Sequence, residues 1–225
     1  RFQLGTFCNI DQSNKTITLA ALYDELDHII LPERKVKYDH LVIAIGSVSN
    51  DFNTPGIKEH CYFLDSNQQA ERFQHTLLDS FTRLHQDDNQ QQSLNIAIVG
   101  GGATGVELSA ELYHVSELLK LYGLTNMSAK RLHIHLITNE DENINANIML
   151  WAAGVKAPDF IKELDIFELT RSNQILVNQF LQSSVDDSIF VLGDCCAFTQ
   201  PDGKQVPPRA QSAHQMAQCV EKNLI

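Results

Sequence analysis

The sequence predicts an α/β fold, and three observations carry that expectation. Apolar, β-branched strand patterns alternate along the chain with segments of helical periodicity. One strand runs directly into a Gly-x-Gly-x-x-Gly turn that opens a helix. Several strands are continuously apolar rather than alternating, the pattern of parallel strands buried on both faces.

Residues 1–31 alternate weakly, with Lys15-Thr16-Ile17-Thr18-Leu19 as the best strand. Val36 to Ile45 reads as a single strand, and its apolar run Leu41-Val42-Ile43-Ala44-Ile45 before Gly46-Ser47 predicts burial on both faces. Asn50 to Gly56 is turn-rich, punctuated by Thr54-Pro55-Gly56. Ser66 to Leu84 reads as a helix, because Ala70, Phe73, Leu77, Phe81 and Leu84 recur at spacings of 3, 4, 4 and 3. Asp65 or Ser66 supplies its cap. Gln86 to Ser93 has no apolar residue and reads as a solvated connection. The helix after the glycine turn carries Leu108, Leu112, Val115, Leu119 and Tyr122 at spacings of 4, 3, 4 and 3. Leu132 to Ile137, Ile148 to Ala152 and Ile189 to Leu192 are further strands. A proline-initiated helix follows Pro207-Pro208-Arg209, with Ala210, Ala213 and Ala217 as a small-residue face.

The stretch Asn95-Ile96-Ala97-Ile98-Val99-Gly100-Gly101-Gly102-Ala103-Thr104-Gly105 points to dinucleotide binding. Gly100 permits the tight turn off the strand. Gly102 lets a diphosphate approach the backbone. Gly105 lets the helix pack close to the strand. Gly101, Ala103 and Thr104 complete the cradle, and the helix start offers unpaired N–H groups and a positive dipole end to the phosphates.

Composition excludes some partners. A net charge of −11 opposes the phosphate backbone of nucleic acid, and no polybasic patch addresses anionic lipid. No run of eighteen apolar residues occurs, and no signal peptide is visible. The first residue is Arg1 rather than Met, which suggests a fragment. Five cysteines, Cys8, Cys61, Cys195, Cys196 and Cys219, form no C-x-x-C pair, so a reduced, cytosolic protein without a metal site is expected. Cys195 and Cys196 read as buried small apolar residues.

Three segments share one form, an apolar strand closed by a small residue: Leu41 to Gly46, Ile148 through Ala153 to Gly154, and Ile189 through Gly193 to Asp194. Small residues at such strand ends let a flat ligand approach the backbone, and Asp194 would accept a hydrogen bond from a sugar or ribityl hydroxyl. Together with Asn50 to Gly56, the glycine turn through Leu108, Trp151 to Phe160, and Val206 to Gln215, these segments resemble the type II, single-subunit NADH:quinone oxidoreductases of bacterial respiratory chains, in the pyridine nucleotide-disulfide oxidoreductase superfamily. The Ala210-Gln211-Ser212-Ala213-His214-Gln215 stretch is the most family-specific piece.

That resemblance implies two Rossmann-like domains of three-layer ββα type, with an FAD domain (1–63 and 154–225) split around an NADH domain (64–153). It implies hydride transfer from NADH to FAD, reduction of a membrane quinone without proton pumping, and peripheral attachment to the cytoplasmic face of the bacterial inner membrane through a C-terminal segment not present here. The family is often dimeric. The resemblance places Glu107 near the nicotinamide–flavin contact, Asp194 on the ribityl chain, and Gln211 and Gln215 near the flavin ring and quinone. The helix beginning near Pro208, with Ala210 in its first turn, would aim its positive end at the flavin.

The sequence departs from that family in three places. The N-terminal glycine fingerprint for the FAD diphosphate and the C-terminal membrane region are absent. After Ile137 the family has a ribose-binding acid and further strands, whereas Thr138 to Asn143 leads almost directly to Ile148. A βαβ unit needs about thirty residues, which this gap cannot hold. Glu140 is the candidate ribose acid. The alternatives are an NAD(H)-binding module or sensor without turnover, or another FAD/NAD(P)H reductase of the same fold. A disulfide reductase would need a redox cysteine pair, and none is present.

Overall fold

A computed structural model describes residues 2–87, 91–126, 129–138 and 143–224. In chain order the strands are β1 (Phe7–Asp11), β2 (Thr16–Leu19), β3 (Leu22–Tyr23), β4 (Ile29–Leu31), β5 (Arg34–Lys37), β6 (Leu41–Ile43), β7 (Val48–Ser49), β8 (Leu94–Val99), β9 (Leu132–Ile137), β10 (Ile148–Trp151), β11 (Val155–Lys156), β12 (Ile175–Leu176), β13 (Ile189–Val191) and β14 (Cys196–Ala197). The helices are α1 (Ile57–His60), α2 (Asn67–His85), α3 (Ala103–Leu121), α4 (Phe160–Glu163) and α5 (Ala210–Leu224). The chain divides into a terminal unit, residues 1–48 with 155–225, and a middle unit, residues 49–154.

The middle unit is a parallel sheet in the order β10-β8-β9. Tyr62 adds a parallel bridge to Leu150 at its β10 edge, so residues 49–63 group with this unit. One row of side chains, Leu94, Ile96, Ile98, Leu132, Ile148 and Leu150, packs with Phe73, Leu77, Phe81 and Leu84 of α2 and Leu112 of α3 in one apolar core. These residues belong to the periodic stripes of the sequence, with two departures: Ala70 is exposed, and Tyr122, just past the end of α3, is 80% exposed. The Ser66 hydroxyl caps α2 by accepting from the Gln69 N–H at 3.3 Å. Asp65 instead accepts from the backbone and hydroxyl of Ser49, at 2.9 and 2.7 Å.

The connection after α2 differs from the solvated loop that the sequence suggests. Arg131, with a side chain only 7% exposed, pairs with Asp87 at 2.8 Å. It also donates to the carbonyls of Leu84 and Gln92, both at 2.9 Å. Arg131 thereby adds a donor to a carbonyl in the last turn of α2 and holds the following loop onto the core.

In the terminal unit, β1, β2 and β5 form an antiparallel sheet, and β6 pairs in parallel with β13. The expected single strand from Val36 to Ile45 is therefore two. Residues 34–37 alternate half-buried and exposed side chains and pair with β2, whereas 41–43 join a different sheet. Nor is β6 buried on both faces: β13 is its one ladder partner among the described residues, and Val42 is 40% exposed. The strand β13 does meet the expectation, with Ile189, Phe190 and Val191 all buried.

Helix α5 buries Met216 and Val220 in the terminal unit's core. Its predicted small face is only partly used: Ala213 is half-buried, while Ala210 and Ala217 are exposed. The wide apolar side chains, not the alanines, decide which face turns inward.

Candidate dinucleotide sites

In the middle unit, β8 ends at the glycine turn and α3 begins on Ala103 with Gly102 as its cap. Gly100 takes a φ of +122°. A Cβ on it would lie 2.5 Å from the Ala152 carbonyl oxygen and 2.8 Å from the Ala153 nitrogen. The turn is thus pressed against the end of β10, and only glycine fits. A Cβ on Gly105 would strike the Gly100 carbonyl oxygen, and one on Gly101 would strike Thr138. Gly102 is different, because a Cβ there would meet nothing within 4 Å.

Packing therefore explains Gly100, Gly101 and Gly105, while the open space above Gly102 remains for a ligand. The Val106 N–H makes the first helical bond, to Gly102 at 3.2 Å. The N–H groups before it lie in the first turn, where no intrahelical partner exists. Ala103 and Thr104 are exposed there. This arrangement suits a diphosphate.

Ala153 and Gly154 close β10 in the same corner. Gly154 has a φ of +78°, and a Cβ on it would come within 2.6 Å of the Phe52 ring. Glu107 is exposed on α3. Glu140 lies outside the described residues.

The terminal unit assembles a second corner from separate segments. Gly46 follows β6 with a φ of +71° and open space where a Cβ would sit. Gly193 follows β13 with a φ of +76°. A Cβ on Gly193 would touch that of Ala213 at 3.7 Å, and the Gly193 N–H points to the Met216 sulfur at 3.4 Å. The first turns of α5 thus lie against the Gly193–Cys195 turn. Ala210 is exposed at the helix start.

Asp194 is half-buried beside that turn, and the Ser47 hydroxyl donates to its Oδ2 at 2.9 Å. The Gln174 amide donates to the Asp194 carbonyl at 2.9 Å and to the Cys196 carbonyl at 3.4 Å. Sequence reasoning assigned no role to Ser47 or Gln174. Ser47 carried one signal, its place directly after the glycine of a strand end; Gln174 carried none.

Gln211 and Gln215 are exposed on α5, one helical turn apart. Gln215 also lines a mostly apolar cavity of about 170 Å³ with Leu181, Phe198, Val206, Met216 and Cys219. Cys195 and Cys196 are buried and free. Burial pushes the Cys195 thiol up, and pushes that of Cys196 up to about 12. Both are neutral thiols at physiological pH, unlike nucleophilic or redox cysteines.

The sequence profile described as "Pyridine nucleotide-disulphide oxidoreductase" matches residues 1–120 and 117–217. The chain belongs to the pyridine nucleotide-disulphide oxidoreductase family. Within the pyridine nucleotide-disulphide oxidoreductases it is similar to the type II NADH:quinone oxidoreductase of Haemophilus influenzae, with 39% identity over 281 positions covering 99% of this chain. The chain spans 63% of that relative's length. An alignment of 281 positions against a chain of 225 means that the relative carries residues with no counterpart here.

Two solved structures share the fold. One, NDH2 from Plasmodium falciparum in complex with NADH, has a TM-score of 0.61 at 19% identity and covers 85% of this chain and 49% of its own. The other, an NAD-dependent persulfide reductase from A. fulgidus, has a TM-score of 0.65 at 18% identity and covers 98% of this chain and 43% of its own. The fold is accordingly the mixed α/β fold of the family, with parallel-strand sheets.

Proposed function

We propose that this chain is the dinucleotide-binding part of a flavoprotein that oxidises NADH and passes the electrons to a quinone without pumping protons. The observation that carries the reading is the presence of two strand-end corners in one chain, each with open space where a Cβ would sit on a glycine. Gly102 supports the first and Gly46 beside Asp194 the second. The 39% identity to a type II NADH:quinone oxidoreductase favours this reaction over the other chemistries of the fold.

Gly100 to Gly105 would hold the NADH diphosphate, with N–H groups of α3 as donors and its dipole favouring the negative charge. Residues 64–153 form the NADH domain in this reading, with Glu140 as candidate ribose acid. The terminal unit, residues 1–48 with 155–225, belongs to the FAD domain in this reading, and Gly46, Gly193, Asp194 and Ala210 would border the flavin. Bound FAD supplies the two-electron acceptor for hydride. Asp194 fits it as the acceptor for a ribityl hydroxyl. Glu107, exposed on α3, would orient the nicotinamide or handle a proton at its carboxylate. Gln211 and Gln215 would present amides near the flavin ring and the quinone.

Among the described residues no helix is long and apolar enough to cross a membrane. Peripheral attachment to the cytoplasmic face of the inner membrane and a homodimeric assembly belong to this reading through the similarity to a type II NADH:quinone oxidoreductase. The net charge of −11 argues against nucleic acid as a partner.

Purification of the intact protein tests the proposal. Yellow protein with bound FAD that oxidises NADH only when a quinone is supplied supports it. Protein that stays colourless after FAD reconstitution overturns it. Glu107→Gln should then slow turnover while leaving flavin bound, and wild-type kinetics across pH would remove that residue's role.

A further inference from the structure

We infer that Ser47 and Gln174 are positioning residues that aim the Asp194 carboxylate, and that Ser47 with Asp194 forms a two-acceptor clamp for a polyol chain. This rests on the reading of the terminal unit as the flavin site. Asp194 follows a glycine with a φ of +76°, on a short turn between β13 and β14. A carboxylate there rotates about two side-chain bonds unless something holds it.

Ser47 is that hold. Its hydroxyl donates to Oδ2 at 2.9 Å across 147 residues of sequence, in a part-buried setting. The bond occupies one oxygen and leaves Oδ1 with its lone pairs for a ligand hydroxyl. It also uses the one proton of the serine, so the Ser47 oxygen is left as an acceptor. Two adjacent acceptors match two neighbouring hydroxyls of a sugar-alcohol chain. The open space at Gly46, next to Ser47, leaves room for that chain.

Gln174 acts one layer below. One amide group donates to the carbonyls of both Asp194 and Cys196, at 2.9 and 3.4 Å. The Cys195 sulfur adds a contact to the Leu192 carbonyl at 3.4 Å. The turn carrying Asp194 is thereby held on both sides, and the carboxylate starts from a fixed backbone.

The experiment measures FAD dissociation constants of the intact apoprotein by flavin fluorescence for wild type, Ser47→Ala, Ser47→Thr, Ser47→Cys and Gln174→Met. Ser47→Ala should weaken FAD binding by about tenfold, the effect of losing one hydrogen bond to a charged group. Ser47→Thr keeps the hydroxyl and should restore wild-type affinity. Ser47→Cys should fall between, and it carries the test if Ser47→Ala melts early. Gln174→Met should weaken FAD binding while NADH affinity stays unchanged. Equal FAD affinity in wild type and Ser47→Ala, or a Ser47→Thr variant as weak as Ser47→Ala, overturns the inference. A wild-type protein that binds no FAD overturns instead the assignment of the flavin site.

Discussion

In the middle unit the ligand corner is one continuous stretch, Gly100 to Gly105, and its glycines answer to atoms close by in the same sheet. In the terminal unit the corresponding corner is assembled from Gly46-Ser47, Gln174, Gly193-Asp194 and the start of α5, with Ser47 and Asp194 separated by 147 positions in sequence. The difference shows two ways of holding a ligand at a strand end. A contiguous corner uses backbone alone, so substitution damages folding and binding together at most positions. An assembled corner uses side-chain bonds between remote segments, so its binding groups can be changed while the fold stands.

The largest effect should come from the contiguous corner. Gly105→Ala drives a methyl group into the Gly100 carbonyl oxygen, and urea unfolding should show a loss on the order of 4 kcal/mol, among the largest seen for single substitutions. Unchanged stability would mean that the turn is not packed as described. Next comes Arg131→Leu, which removes the partly buried ion pair to Asp87 and the donors to the Leu84 and Gln92 carbonyls. Breaking such a pair costs about 3 kcal/mol, and urea unfolding with a midpoint shifted to lower denaturant is expected.

How much of this was legible in the sequence follows from the same contrast. The glycine turn could be read because its constraints are local: a strand, a left-handed residue and a helix start within eleven residues, 95–105. The stripes of α2 and α3 could be read because burial repeats with the helical turn. The break between β5 and β6 was hidden because no glycine or proline separates Val36 from Leu41, and only pairing partners tell the two strands apart. The inward face of α5 was misread because three alanines share a spacing, while Met216 and Val220 hold most of the apolar area. Arg131, Ser47 and Gln174 were invisible for a different reason. Their partners lie 20 to 147 residues away, and no spacing rule connects them.

A smaller effect probes the terminal unit through its buried thiols. The Cys196 thiol is pushed from its ordinary 9.0 to about 12, so the folded chain keeps a proton that the unfolded chain releases. Stability from this group is complete below pH 9 and falls as pH rises from 9 towards 12. By pH 10 the loss should be about 1 kcal/mol. Cys196→Ala should flatten that part of the pH–stability curve, and an unchanged slope would place the thiol in a wetter environment. Native protein treated with a thiol reagent at neutral pH should be labelled at the exposed Cys8 and spared at Cys195 and Cys196.

The central claim is that the two corners serve different dinucleotides, NADH in the middle unit and FAD in the terminal unit. Calorimetric titration of FAD and of NADH into the intact protein and two variants tests it most directly. Gly102→Ala adds a methyl group in open space, so folding should be unaffected while NADH affinity drops about tenfold and FAD affinity holds. Asp194→Ala should do the reverse, weakening FAD and sparing NADH in the reconstituted protein. Loss of the same ligand from both variants, or of neither, would contradict the account.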